Sequence, residues 1–165
     1  MTTNLDLVRM VAKHVEIQVV TLRSSSVKAN FDVLEVPASL GLRQGYRASC
    51  DESRFRTEGI LTVVVGFVFH ASDAPDNEDA EPSDSDALVV EAEYGIIYSI
   101  DRDVDLDPRC LQHFANVNGP YNAWPYWREH VQSVSGRVGL SSITVPLFRP
   151  PVHEVDEDGD CTSDS

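Results

Sequence analysis

The sequence predicts an α+β fold: a four-stranded antiparallel meander with helices packed on one face. Three observations predict it. Apolar residues alternate with a period of two in four segments between His14 and Ile100. Those segments follow one another through hairpin-length connections, which favours antiparallel neighbours. After Ile100 the apolar spacing lengthens to three and four, and Asp107-Pro108 offers a helix start: a cap oxygen, then a residue whose missing N–H costs nothing there. Helices that follow strands pack on one face of the sheet.

Each element has its own signal. Residues 5–13 form a short helix with Leu5, Val8 and Ala12 on one side. In His14–Arg23, Val15, Ile17 and Val19 alternate with Glu16 and Gln18 as the first strand. Residues 24–41, serine-rich and then irregularly apolar, read as a crossing loop. Leu42–Ser53 places Leu42, Tyr46, Ala48 and Cys50 on one face of a second strand. Thr57–Ala71 is apolar on both faces, Leu61 to Phe69 on one and Ile60, Val64 and Val68 on the other, so it needs a cover on each side. The fourth strand, Ala87–Ile100, sets Leu88, Val90, Ala92, Tyr94, Ile96, Tyr98 and Ile100 against Glu91, Glu93 and Ser99. One helix then runs from Asp107 to Gly119-Pro120. A second starts near Trp124-Pro125, carries Trp127, Val131, Val134 and Val138, and ends at Gly139. Ser141–Phe148 is extended and apolar, and Pro150-Pro151 stops it.

The 165 residues fit one domain, residues 1–150, followed by a tail, 151–165. The net charge of −14 is concentrated in two places. Residues 72–86 hold seven acids and residues 152–165 six, with no Lys or Arg in either, so the remainder is close to neutral. The first segment, which contains Pro75 and Pro82, is expected to be a disordered loop and the second a solvated tail. No basic stripe is present for phosphate contacts, which argues against nucleic-acid binding. No apolar run approaches the ~20 residues of a membrane helix. The N-terminus lacks a secretory pattern. Three widely spaced cysteines, Cys50, Cys110 and Cys161, suit a reducing, cytoplasmic setting.

Signals for chemistry are weak. The five histidines stand far apart and belong to no HExxH or Cys/His ligand spacing. Residues 156–160 lack the alternating acids of a calcium loop. Glu91 and Glu93 share a strand face, where a polar surface is a simpler account than paired catalytic carboxylates. The residues therefore imply no enzyme, no cofactor and no metal. Apolar and aromatic surface is instead in excess, notably Trp124-Pro125-Tyr126-Trp127 and the crossing loop. Such a surplus either seals an interface between copies or lines a groove for apolar ligands or peptides.

Several segments resemble SecB, the bacterial export chaperone family. Gly95-Ile96-Ile97-Tyr98-Ser99-Ile100 is similar to the family's G-G-I-F-S-I-type strand end, and Trp124-Pro125-Tyr126-Trp127-Arg128-Glu129 to its F-P-Y-x-R-E helix start. Ser135-Gly136-Arg137-Val138 through Ile143-Thr144-Val145 resembles the S-R-G and L-N-L segments that follow. The order of elements agrees from about His14 to Phe148. The resemblance implies ATP-independent holding of unfolded or precursor polypeptides by a homotetramer, a dimer of dimers. It implies client-binding grooves lined by Phe31, Leu34, Leu40, Leu42, Tyr46, Trp124 and Tyr126, with Val64, Val68, Val131 and Val134 at interfaces between copies. Glu91 stands where the family places an acid that contacts SecA. Ser24 and Lys28 replace other acids of that surface, and the family's C-terminal helix is missing here. Divergent SecB-like proteins also serve single partners, including an antitoxin of a toxin–antitoxin system, and the sequence leaves both roles open.

Overall fold

The computed structural model describes residues 4–73 and 81–150. A four-stranded antiparallel sheet carries one long helix across one face, with a short helix packed on the long one. The order of elements is α1 (Asn4–Ala12), β1 (Val15–Ala29), β2 (Gly41–Asp51), α2 (Phe55–Glu58), β3 (Ile60–Ser72), β4 (Leu88–Ile100) and α3 (Pro108–Arg137).

The strand order is β1-β4-β3-β2, which corrects the expected meander. Only β2, β3 and β4 run as consecutive hairpins. β1 lies beyond β4, a Greek-key arrangement in which residues 30–40 carry the chain over to the opposite edge. β1 also extends past Arg23 to Ala29, because Ser24, Ser26 and Lys28 pair with Glu93, Glu91 and Val89 of β4. Register shifts between Ile17 and Val19 and between Leu22 and Ser24 interrupt its period. A bulge moves later side chains to the other face. Val15 and Ile17 thus share the helix side with Ile100 and Tyr98, whereas Val19 pairs with Ile97 on the opposite face.

β3 and β4 form the centre. On the helix side, Leu61, Val63, Val65, Phe67, Phe69 and Ala71 of β3 are all buried, as are Leu88, Val90, Ala92, Tyr94, Ile96, Tyr98 and Ile100 of β4. On the opposite side Ile60, Val64 and Val68 are half-buried. There the arginine stems of β1 and β2 provide part of the cover. Arg47 lies over Gly66 and Arg23 over Gly95, each in the space a Cβ would take.

α2 interrupts the segment expected to begin β3, burying Phe55 and ending at Gly59 with φ 68°. Only a residue without Cβ takes that conformation easily, and a Cβ there would lie 2.8 Å from the Ile100 carbonyl.

The two predicted helices after Ile100 are one helix of 30 residues, α3. Asp107 caps it, accepting from the Arg109 N–H at 2.8 Å. Gly119-Pro120 does not end it. A proline removes the hydrogen bond to the carbonyl four residues back. Those carbonyls belong to Asn116 and Tyr121, both exposed residues, so the lost bonds fall on the solvent side of the helix. Gly119 is instead the point of closest approach to the sheet: a Cβ there would meet Val63 Cγ1 at 2.7 Å. The helix ends as predicted at Gly139 (φ 88°), where the Leu140 N–H reaches back to the Ser135 carbonyl at 3.0 Å. In α1, Val8 and Val11 are buried and Ala12 is exposed, so the inward face differs from the expected one at its end.

The expected 72–86 loop is narrower than its charge pattern. Ser72 closes β3, and Asp86 accepts from the Ser83 N–H at 3.0 Å and meets His70 Nδ1 at 2.9 Å. Asn30 binds this turn by donating to the Asp84 and Asp86 carbonyls. Residues 74–80 and the tail 151–165, both expected to be disordered, lie outside the described residues.

Candidate functional site

β2 is an edge strand, and its helix-side residues Leu42, Gln44, Tyr46, Ala48 and Cys50 face α3. A seam runs between them. Toward one end, Gln112 of α3 donates to the Ala48 carbonyl at 3.3 Å beside a cavity of about 310 Å³ next to Cys50. Toward the other, a cavity of about 180 Å³ opens between Tyr46, Trp124 and residues 147–149.

Aromatic rings build that second end. Phe67, on β3, is the hub: Trp127 stacks on it at 5.2 Å, and Trp124 and Tyr46 approach at 5.5 Å and 6.3 Å. Phe148 closes the cluster from the C-terminal segment, 5.5 Å from Tyr46 and 5.2 Å from Trp124. The indole N–H of Trp124 donates to the Pro146 carbonyl at 2.8 Å, and Arg128 Nε donates to the Val145 carbonyl at 2.9 Å. An extended apolar stretch of polypeptide therefore lies along α3, held by rings and by donors directed at its backbone. This is what the site can do chemically: bury apolar side chains and bind main-chain carbonyls.

The seven expected client-binding residues separate into groups. Tyr46 and Trp124 come together at this cavity. Leu42 lies on the same strand face and is exposed. Phe31 and Leu40 are half-buried against the core at the two ends of the crossing loop. Leu34 is 92% exposed at the tip of that loop, in a turn where its N–H donates to Asp32 Oδ1. Tyr126 lies apart from this cluster: its ring contact is with Tyr94 of β4, at 6.4 Å, toward the β1 side of the sheet. Phe148 and Phe67 are the residues the sequence reading missed. The apolar Val145-Pro146-Leu147-Phe148 before Pro150-Pro151 was the available signal.

Val131 and Val134, expected between copies, are buried in the core of the single chain. Val64 and Val68 lie on the helix-free face and stay half-buried. Glu91 lies on that face too, exposed, beside a shallow depression of about 550 Å³. Its carboxylate accepts from Ser26 Oγ at 3.1 Å, while Glu93 pairs with Arg23 at 3.8 Å.

Burial favours the neutral form of the thiol, phenol and imidazole groups around the seam. Burial, with the carboxylates of Glu52 and Asp51, pushes the Cys50 thiol up to about 12. Burial also raises the Tyr46 hydroxyl, and it raises Tyr94 to about 12 with help from Glu129. His113 and His130 are lowered, mainly by burial. Among the described residues, no group of three or more His, Cys, Asp or Glu could hold a metal ion, and no helix is long and apolar enough to cross a membrane.

No family model and no curated protein matches the sequence. Among solved structures, the chain is similar to the SecB-like chaperone Rv1957 of Mycobacterium tuberculosis, solved in complex with a ChAD peptide from the HigA1 antitoxin Rv1956. The identity is 18% and the TM-score 0.68, over 88% of this chain and 99% of that one. A protein of unknown function from Streptococcus agalactiae aligns at 9% identity and a TM-score of 0.43, over 81% of this chain and 97% of that one. The likeness to the mycobacterial protein gives the chain a SecB-like fold, in agreement with the resemblance carried by its sequence segments.

Proposed function

We infer that the protein is an ATP-independent chaperone that holds unfolded or precursor polypeptides as extended segments in the seam between β2 and α3. One observation carries this reading: the seam already binds an extended apolar segment, residues 145–148, through aromatic rings and carbonyl-directed donors. A groove that recognises main chain and apolar side chains, rather than a folded surface, fits non-native clients. The test is suppression of aggregation of a slowly refolding protein at stoichiometric ratio without ATP. No suppression by the intact protein rejects the reading.

A dedicated role is the second reading, because the similar mycobacterial chaperone was solved with an antitoxin peptide. Capture from the native cell separates the two: many precursors support the general role, one stable partner the dedicated one. Docking on SecA through the sheet finds little support, since Glu91 and Glu93 are bound to Ser26 and Arg23, and Lys28 pairs beside them in the sheet.

Assembly as a homotetramer belongs to the same reading. β1 is a long edge strand with Ile17, Leu22 and Val27 between 41% and 50% exposed on the helix side, beyond the cover of α3. Unprotected edges of this length invite pairing. The protein would work in the cytoplasm, where clients are unfolded before export or folding.

A further inference from the structure

Phe148 sits where an aromatic side chain of a bound polypeptide belongs. Its ring meets Tyr46 nearly edge-on and Trp124 at a tilt, yet the residue is only half-buried. The segment that carries it has no regular secondary structure. Its grip on α3 is through backbone, with the Trp124 indole on the Pro146 carbonyl and Arg128 on the Val145 carbonyl. Every residue offers such a carbonyl, so neither bond is specific to this segment. Burial also falls along it: Val145 is 1% exposed and Leu147 is 73% exposed. The root is core, Leu147 beyond it is surface, and Phe148 is half-buried in the notch.

We propose that residues 146–148 are a resident competitor, with Phe148 filling the aromatic subsite of the groove until an incoming polypeptide displaces it. The proposal rests on the β2–α3 seam being the polypeptide-binding site. It defines the chemistry of what displaces the segment: an extended chain with one aromatic side chain for the notch between Tyr46 and Trp124, and a carbonyl for the Trp124 indole that Pro146 releases, while Arg128 stays on Val145. Covalent tethering keeps Phe148 at an effective concentration on the order of millimolar, so individually weak contacts are enough to compete. The apparent affinity for a client is reduced by the fraction of time the notch is closed. A chaperone built this way ignores weakly apolar segments and still admits aromatic ones.

The probe is a capped, fluorescently labelled synthetic peptide of residues 143–149, together with the same peptide in which its phenylalanine is replaced by alanine. Anisotropy is measured against the full chain and against full-length Phe148→Ala. The variant is expected to bind the phenylalanine peptide about tenfold more tightly than the wild type, because the notch is then always open. The alanine peptide should gain much less. Equal or weaker binding by the variant overturns the proposal, since Phe148 would then be a fixed wall of the groove. Absence of binding to both forms overturns it too. If Phe148→Ala does not fold, the wild type decides by amide exchange. Saturating peptide must speed exchange at residues 147–149, and unchanged exchange overturns the proposal. Aggregation suppression is read separately. A chain that fails it while Phe148→Ala gains peptide affinity loses the chaperone reading and keeps the competitor.

Discussion

Trp124 is 7% exposed and touches Phe67, Phe148 and the Pro146 carbonyl, so replacing it removes core as well as groove. Tyr46 separates the two effects better, being 37% exposed at the mouth of the same notch. Tyr46→Ala should weaken binding of the peptide of residues 143–149 by about tenfold, the loss of one aromatic anchor, while the melting temperature changes little. Unchanged affinity in an anisotropy titration would remove Tyr46 from the site. His130 makes a different prediction. Its Nε2 is buried with no hydrogen-bond partner among the described residues, and burial, with a contribution from Arg137 partly offset by Glu129, lowers its pKa. The unfolded chain then binds more protons just below the ordinary histidine value of about 6.5, so stability is lost as pH falls through that range. His113 acts in the same direction. The melting temperature should drop between pH 7 and 5, and less steeply in His130→Gln; parallel curves for both proteins would reject the assignment. The lowered carboxylates Asp51, Glu58 and Asp107 belong to a separate, more acidic window. Tyr46 and Trp124 were nameable from the sequence because the resemblance to SecB implies a groove along the second strand and the long helix. The sequence could not show Phe148 beside them, since the contact with Tyr46 joins positions a hundred residues apart and the one with Trp124 needs the chain to turn back along α3.

At the scale of elements, β3 and β4 were legible because their period of two survives unbroken to both ends. β1 was cut short because its bulges shift the phase and its second half is serine, polar on both faces at an edge with little cover. α3 was split because Gly-Pro and Trp-Pro are local stop signals, and tertiary packing overrode them. Two glycines of that helix make opposite predictions. Gly119→Ala gains about 1 kcal/mol of helix propensity. It also drives a methyl against Val63 and Val65, stiff side chains that cannot swing aside, and overpacking of this kind costs about 1–3 kcal/mol, so a net loss is expected. Gly136 has nothing within 4 Å of a built Cβ, and Gly136→Ala should stabilise by about 0.5–1 kcal/mol. Chemical denaturation of the two variants checks both signs. If both shift the midpoint the same way, the close approach at Gly119 is not what selects glycine.

For the molecule as a whole, the helix-free face and the β1 edge are the surfaces left for assembly. In a lone chain Val64→Asp should be mild, because Val64 is half-exposed and Arg23 and Arg47 lie over neighbouring residues. If another chain covers that face, the same change buries a charge and should dissociate the oligomer. Leu22→Lys, on the exposed helix side of β1, tests the edge directly. Light scattering should give a tetramer for the wild type and smaller species for Leu22→Lys; a wild-type mass of 18.3 kDa would reject assembly altogether. The sheet-with-helix class was legible from periodicity alone, but the strand order was not. Alternation reports which face a residue takes and says nothing about which strand lies beside it.

That order has a consequence for how the chain is made. β1 leaves the ribosome first, yet its partner β4 is synthesised last of the strands, so Val15 must wait for Ile100 and Ala29 for Leu88. Until then only the β2–β3 hairpin can pair locally, while a fifteen-residue strand stays unmatched. Closing such distant contacts is slow, on the millisecond-to-second scale of sheets dominated by non-local pairing. During that interval a newly made copy presents a free strand much like the segments the folded protein is inferred to hold, which makes the new copy a natural client of an older one.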